Sequence, residues 1–269
     1  MGIFKPSELL KKLEELGVNP KKGLSQNFLI DGNILNKIVD LAEVKPGDKV
    51  LEIGPGPGAL TEKLLERGAH LIAVEKDSTW ARALKEKSIP ELSVHEADIL
   101  EFDLSLISPG TKVVANLPYH ITTPILSKLV ERSDLFQSIT VMVQDEVAKR
   151  MTSKPKTSDY SSLTVYLSFF SEPKYGFKVK RTSFFPPPNV DSAIVRLDIK
   201  VPRAISNKER FFKMVREAFN HRRKMLRASL RTIYTKELLE KHLPNPNARP
   251  EELSIDELII LFESLEKDL

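Results

Sequence analysis

Cysteine is absent from the 269 residues. That excludes disulfides, a thiolate nucleophile and any cysteine-ligated metal. The five histidines are scattered, with no metal-ligand spacing among them, so no metal site is expected. No apolar run reaches the roughly 18 residues of a membrane-spanning helix, so no membrane contact is expected. Residues 1–16 mix Lys5, Glu8, Lys11, Lys12, Glu14 and Glu15 into an amphipathic pattern unlike a secretory signal, and a cytoplasmic location is the expectation. There is no internal repeat and no low-complexity segment. Charge of one sign is not in large excess either, with 41 basic against 37 acidic residues, a net +4 and a pI of about 9.0. The distribution is uneven, however. Between Lys208 and Arg231 lie nine lysines and arginines against two acids, Glu209 and Glu217. A basic face of that density points to a polyanion. Arg222, Arg223 and Lys224, beside His221 and Arg227, are its tightest cluster and the candidate phosphate contacts.

The most informative stretch runs from Val50 to Thr61. A short apolar run over 49–53 reads as a buried parallel strand. Gly54, Gly56 and Gly58 follow at alternate positions, and Leu60, Leu64 and Leu65 then fall on one helical face. Strand, glycine turn and helix form the entry unit of a nucleotide-binding α/β domain. The spacing is G-x-G-x-G rather than the G-x-G-x-x-G of dinucleotide sites, and Pro55 and Pro57 remove two N–H donors. A pyrophosphate cradle is therefore disfavoured, and a ligand with an adenosine but no phosphate fits better. Glu52 through Gly58, E-x-G-x-G-x-G, resembles the first motif of S-adenosylmethionine (SAM) methyltransferases.

Around this unit, strands are expected over 49–54, 70–75, 92–97, 112–116 and 138–144, with helices over 60–67, 79–87 and 123–131. Alternation of this kind predicts a doubly wound, mostly parallel sheet, which binds ligands at the carboxyl ends of its strands. Those ends are polar. The second strand ends in Glu75, 21 residues after Gly54, where an acid can accept from a ribose diol. The third leads to Asp98, which can accept from an adenine amino group, and the fourth runs into Asn116-Leu117-Pro118-Tyr119. Upstream, a short helix over 6–16 precedes an ordered loop, 20–31, whose Gln26 and Asn27 offer amides to a small ligand. Asn33 is the expected cap of the helix that follows. Downstream come a helix over 144–151, a polar loop over 152–159 and a helix over 160–170 packed on the sheet. Segments 175–180 and 192–199 read as an antiparallel edge pair, joined through a rigid loop, Phe184-Phe185-Pro186-Pro187-Pro188. From Val201 the pattern is purely helical, and Ser254 to Glu257 forms a capping box. The expected architecture is a Rossmann-like α/β domain, 1–200, and a small all-α domain, 201–269.

Asn116-Leu117-Pro118-Tyr119 is the most specific motif. It matches the pattern of methyltransferases that act on amino groups conjugated to a π system. Adenine N6 shares its lone pair with the ring. Acceptors on both its hydrogens, Asn116 Oδ1 and a backbone carbonyl near Leu117, can draw it toward tetrahedral geometry. Pro118 would aim the turn and Tyr119 would stack on the base. These motifs occur together with Gln26-Asn27-Phe28-Leu29, Phe185 to Ser192, and Asn220 to Leu226. The chain thus resembles the bacterial small-subunit ribosomal RNA adenine N6,N6-dimethyltransferases, from about residue 21 to residue 261. The resemblance implies SAM as cofactor, held by Gln26, Asn27, Leu29, Gly54, Glu75, Asp98 and Asn116. It implies Phe185 as the second wall of a base sandwich opposite Tyr119. It implies two methyl transfers to each of two adjacent adenosines near the 3′ end of small-subunit rRNA, in the subunit or its precursor, by a monomer. Ser25 stands where the family often has glycine. Two rival readings are a macrolide-resistance type methyltransferase of large-subunit rRNA and a non-catalytic ribosome-assembly factor on the same fold.

Overall fold

The computed structural model describes residues 6–24, 26–220, 224–243 and 245–269. In chain order these form α1 (Pro6–Glu15), β1 (Phe28–Leu29), α2 (Gly32–Leu41), β2 (Lys49–Ile53), α3 (Ala59–Glu66), β3 (His70–Glu75), α4 (Ser78–Lys85), β4 (Leu92–Glu96), β5 (Thr111–Asn116), α5 (Thr122–Val130) and β6 (Phe136–Gln144). The chain continues through α6 (Asp145–Thr152), α7 (Ser162–Phe170), β7 (Ser171–Val179), β8 (Phe184–Phe185), β9 (Ser192–Ile199), α8 (Lys208–Asn220), α9 (Leu226–Leu230), α10 (Lys236–His242) and α11 (Ile255–Lys267).

Seven strands form one sheet in the order β4-β3-β2-β5-β6-β9-β7. The five from β4 to β6 run parallel, and β9 joins β6 antiparallel. This is the doubly wound, mostly parallel sheet with an antiparallel edge that the alternating pattern predicts. Its inner strands are largely apolar and buried because both faces are covered, with Glu52 of β2 and Lys112 of β5 as buried charged exceptions. Val113, Val114, Ile139 and Val141 are completely buried. Leu35, Ile38 and Val39 of α2 pack against Val50 and Val114 of the sheet, and each such aliphatic burial contributes on the order of 1.5–3 kcal/mol. In-register pairing brings the strand ends level: Ile53 pairs with both Val74 and Ala115, Glu75 with Glu96, and Asn116 with Met142. Strand order reverses between β2 and β5, so a crevice opens beyond their carboxyl ends.

Two local expectations are corrected. The cap of α2 is Asp31, whose Oδ1 accepts from the N–H groups of Asn33 (3.0 Å) and Ile34 (3.3 Å). Asn33 lies within the first turn. The loop before α2 also contains a strand: β1 pairs antiparallel with β8, Phe28 opposite Phe185 and Leu29 opposite Phe184.

The chain divides into two compact units, Met1–Ala148 with Pro173–Lys200, and Lys149–Glu172 with Val201–Leu269. The expected boundary near residue 200 is one of three places where the chain changes unit; the other two flank α7. In the second unit Phe169 of α7 packs edge-on against Phe212 of α8 (5.2 Å), and Phe211 meets Phe262 of α11 (5.5 Å). This aromatic cluster packs against apolar side chains of the helix expected over 160–170. The capping box of α11 is present, with Ser254 Oγ accepting from Glu257 N–H.

Candidate active site

Glu75 and Asn116 close β3 and β5 at the crevice, Gly54 follows β2, and Asp98 lies two residues beyond β4. After β2 the chain turns at Gly54, Gly56 and Gly58, all with positive φ. A Cβ on Gly56 would lie 3.1 Å from the Phe28 ring, and one on Gly58 would lie 2.8 Å from Leu84 Cδ2, so the turn packs directly on its neighbours. Its N–H groups are spent internally: Gly56 donates to Glu75 Oε2 (2.9 Å) and Gly58 to the Pro55 carbonyl (3.0 Å). An anion cradle is thus not built here, as the two prolines suggest.

Glu75 is buried at the end of β3, and its other oxygen accepts from Asp77 N–H (2.7 Å). Burial pushes its carboxyl above the usual range, and these two N–H groups oppose the rise. Each oxygen keeps a second lone pair. Asp98 accepts from Leu100 N–H (2.9 Å) and pairs with Lys76 Nζ (2.7 Å). That lysine bond, then the backbone bond, holds its carboxyl below the usual range. Glu75, Asp98, Gly54, Gly56, Asn116, Gln26 and Asn27 line one cleft, whose apolar wall includes Ile53, Val74, Ile99 and Leu117. An apolar slot flanked by two carboxylates fits an adenosine. Leu29 is buried in the core of the first unit and is not among the lining residues.

Gln26 does its visible work on the loop. Its Nε2 donates to Asp77 Oδ2 (2.8 Å), and its Oε1 accepts from Lys21 N–H (2.8 Å), while Lys21 Nζ pairs with Asp77 (3.0 Å). Burial raises the Asp77 carboxyl, but Lys21 and Gln26 together outweigh it and leave a net lowering. The anchored loop carries Asn27, whose carbonyl accepts from Asn116 Nδ2 (3.3 Å). With its amino end so held, Asn116 Oδ1 has no hydrogen-bond partner among the described residues. In the turn that follows, the Pro118 carbonyl is taken by Ile121 N–H (3.2 Å) and Thr122 Oγ1 (3.2 Å), and Leu117 N–H donates to Met142 (3.2 Å). The Leu117 carbonyl accepts nothing among the described residues. Two acceptors therefore remain, one from Asn116 and one from Leu117.

Tyr119 is half-buried, its hydroxyl bonded to Ser192 Oγ (2.6 Å). Burial raises its hydroxyl pKa, against the Ser192 bond. Tyr119 and Phe185 line a second, larger cavity with Asn27, Gln144 and the prolines after Phe185. Asp77 and Ser192 escaped the sequence reading as site residues. Asp77 follows Glu75 by two positions and also caps α4, and Ser192 closes the motif that contains Phe185. Arg222 and Arg223 lie outside the described residues. Lys224 is exposed, and with Lys213, Arg216 and Arg231 it makes no ion pair among the described residues, whereas Arg210 pairs with Glu266 (3.1 Å). No group of acidic or histidine side chains among the described residues could hold a metal ion. No described helix is long and apolar enough to cross a membrane.

Comparison with known proteins places this geometry. The family model of ribosomal RNA adenine dimethylases matches residues 17–267. A ribosomal RNA small subunit methyltransferase A from Protochlamydia amoebophila is 52% identical over 98% of this chain and 98% of its own. One from Chlamydia felis is 46% identical over 97% of this chain and 95% of its own. Among solved structures, a dimethyladenosine transferase from Plasmodium falciparum superposes with a TM-score of 0.77 at 29% identity, covering 89% of this chain and 98% of that one. The 23S rRNA methyltransferase ErmE gives 0.70 at 31% identity, covering 89% of this chain and all of that one. With nearly its whole length matched, the chain belongs to the ribosomal RNA adenine dimethylase family.

Proposed function

We propose that this protein transfers methyl groups from SAM to N6 of two adjacent adenosines in a hairpin near the 3′ end of small-subunit rRNA. The product is N6,N6-dimethyladenosine, made during small-subunit assembly in the cytoplasm by a monomer. The observation that carries the reading is the pair of acceptors left open at the Asn116 to Tyr119 turn, where the carboxylate-flanked cleft meets the aromatic-walled cavity.

Asn116 Oδ1 and the Leu117 carbonyl accept the two N6 hydrogens and free the nitrogen lone pair. Pro118 fixes the turn, and Tyr119, with its hydroxyl tethered to Ser192, offers its ring to the base opposite Phe185. Stacking on such an aromatic is worth roughly 1–3 kcal/mol per base, which offsets the cost of drawing the target from its stack. Glu75 accepts from the ribose hydroxyls of the cofactor and Asp98 from its adenine amino group. Gly54, Asn27 and Asn116 surround its methionine part, with Leu29 buried behind them in the core, and Gln26 positions the loop that carries Asn27. When bound, SAM supplies a methyl group on a sulfonium. Asn116 Oδ1 and the Leu117 carbonyl would hold the N6 amine with its lone pair toward that methyl, and the proton lost on transfer would pass to solvent. Alignment and preorganised acceptors supply the acceleration, and no metal is needed. The basic face of the helical unit, with Lys224, Arg222 and Arg223, contacts rRNA phosphates and positions the subunit.

Purified protein, labelled SAM and under-methylated small and large subunits test this together. The expected label falls on two adjacent adenosines of the small-subunit hairpin, and Asn116→Ala leaves them unlabelled. Label confined to large-subunit rRNA, or undiminished turnover by Asn116→Ala, contradicts the proposal.

A further inference from the structure

The cavity walled by Tyr119 and Phe185 is larger than one flipped base requires. It extends from the base site between α1 and the proline-rich loop, with a volume of about 1070 Å³. That is the upper end of the range that encloses a whole drug-sized ligand. Three amides on its wall, Asn19, Gln144 and Asn189, make no side-chain hydrogen bond to any described residue. Flat apolar faces come from Pro186, Pro187, Leu10 and Leu13. Glu14 is the one charged side chain among the described lining residues, and no lysine or arginine is present. The wall is therefore unsuited to phosphate. It suits an uncharged planar group with both donors and acceptors on its edge. Asparagine and glutamine amides match the N6/N7 edge of adenine, donating to N7 and accepting from the amino group.

This groove shares Asn27 and Tyr119 with the cofactor cleft, so whatever occupies it adjoins the target base. Resting on the function proposed above, we propose that the groove holds the neighbouring adenine: while one adenine of the adjacent pair lies against Asn116, the other lies between α1 and the proline-rich loop, its edge read by Gln144 and Asn189. Drawing one base out of a stack strips its neighbour of a stacking partner. The apolar faces restore that stacking, and the amides distinguish adenine from other bases.

Photo-crosslinking tests the placement. p-Benzoylphenylalanine is placed at Val190 in one variant and at Leu10 in a second, positions 44% and 49% exposed at the rim of the groove and outside the proposed catalytic set. Each variant is irradiated with under-methylated small subunits, and the crosslinked nucleotide is read from reverse-transcription stops. Stops at the adenosine pair are expected; stops confined to other nucleotides overturn the proposal. A kinetic measurement tests the reading of the edge. Replacing one adenosine of the pair by purine riboside removes its amino group and fixes the other as target. The wild-type KM should rise by about 3–10-fold with kcat unchanged, as expected when one neutral hydrogen bond is removed. Gln144→Ala/Asn189→Ala should show the raised KM already with the all-adenosine substrate and no further rise with purine riboside. Equal KM values for both substrates in the wild type overturn the proposal while leaving the proposed methylation intact. Absence of any small-subunit methylation by the wild type would overturn both.

Discussion

Glu75 is committed before any ligand arrives. Its two oxygens brace Gly56 and Asp77, so one carboxylate shapes the glycine turn and also faces the cleft. Glu75→Gln places an NH2 against an N–H donor and removes the charge. SAM affinity should fall by about 1.5–3 kcal/mol in calorimetry, the scale of hydrogen bonds with a charged partner. Unchanged affinity would remove Glu75 from the ribose site. Glu52 poses a different problem. It is completely buried under the turn, and neither of its oxygens has a hydrogen-bond partner among the described residues. Thr61 stands nearby without the geometry of a hydrogen bond, its own hydroxyl unpartnered as well. Burial, reinforced by the charge of Glu75, pushes the Glu52 carboxyl up to about 8 from an ordinary 4.5. The folded state therefore holds a proton that the unfolded chain releases. The stability this gives is complete below about pH 4.5 and is lost as the pH rises through about 8. Over that window the slope approaches ~1.4 kcal/mol per pH unit. Glu52→Gln should flatten it, so that urea midpoints of the variant fall less than those of the wild type between mildly acidic and mildly alkaline buffer. Parallel pH profiles would show that Glu52 is ionised in the fold.

The glycine turn illustrates what an element adds to its residues. Gly58 opens α3 at φ +94°, where a side chain is strained and would also meet Leu84. Gly110 has a similar φ of +80° but open space around it. Gly110→Ala should thus cost only the backbone strain, about 1 kcal/mol, and Gly58→Ala distinctly more, with SAM affinity lowered only by the latter. Equal costs in urea unfolding would mean that Leu84 yields freely. Much of this architecture is legible in sequence. Strands β2, β3, β5 and β6 carry apolar stretches rich in valine, isoleucine and leucine and run into Gly54, Glu75, Asn116 and Gln144, and both the apolar stretch and the polar stop are local signals; β4 is mixed, and Asp98 follows it by two residues. β1 is not legible. Two residues have no period, and their partner lies 157 positions away at Phe185. The cap of α2 falls to Asp31 rather than Asn33 because both are good caps and only the backbone path decides between them. Gln26 is legible as a site residue, but its partner Asp77 is not, since a hydrogen bond between two loops leaves no mark in either.

At the scale of the molecule, charge separates the two units. The cleft of the first is lined by carboxylates and amides, while α8 and the segment after it carry exposed Lys208, Lys213, Arg216, Lys224, Arg227 and Arg231. If these bind phosphates, neutralising Lys213, Arg216 and Lys224 together should weaken subunit binding and flatten its salt dependence by about 0.7–0.9 slope units for each phosphate released. SAM affinity should stay the same. An unaltered slope, with the fold intact by circular dichroism, would assign the cluster to solubility instead. The β1–β8 ladder has a further consequence, for the birth of the protein. Residues 26–29, which steady Asn116, are tied to Phe185, and Tyr119 is tied to Ser192. Every motif of the cofactor cleft has left the ribosome well before those partners are made. The nascent chain therefore holds the residues of the cofactor cleft while lacking both the staple that closes it and the Phe185 wall of the base site. An enzyme that modifies ribosomes gains the staple of its own site only after another ribosome has made Phe185 and Ser192.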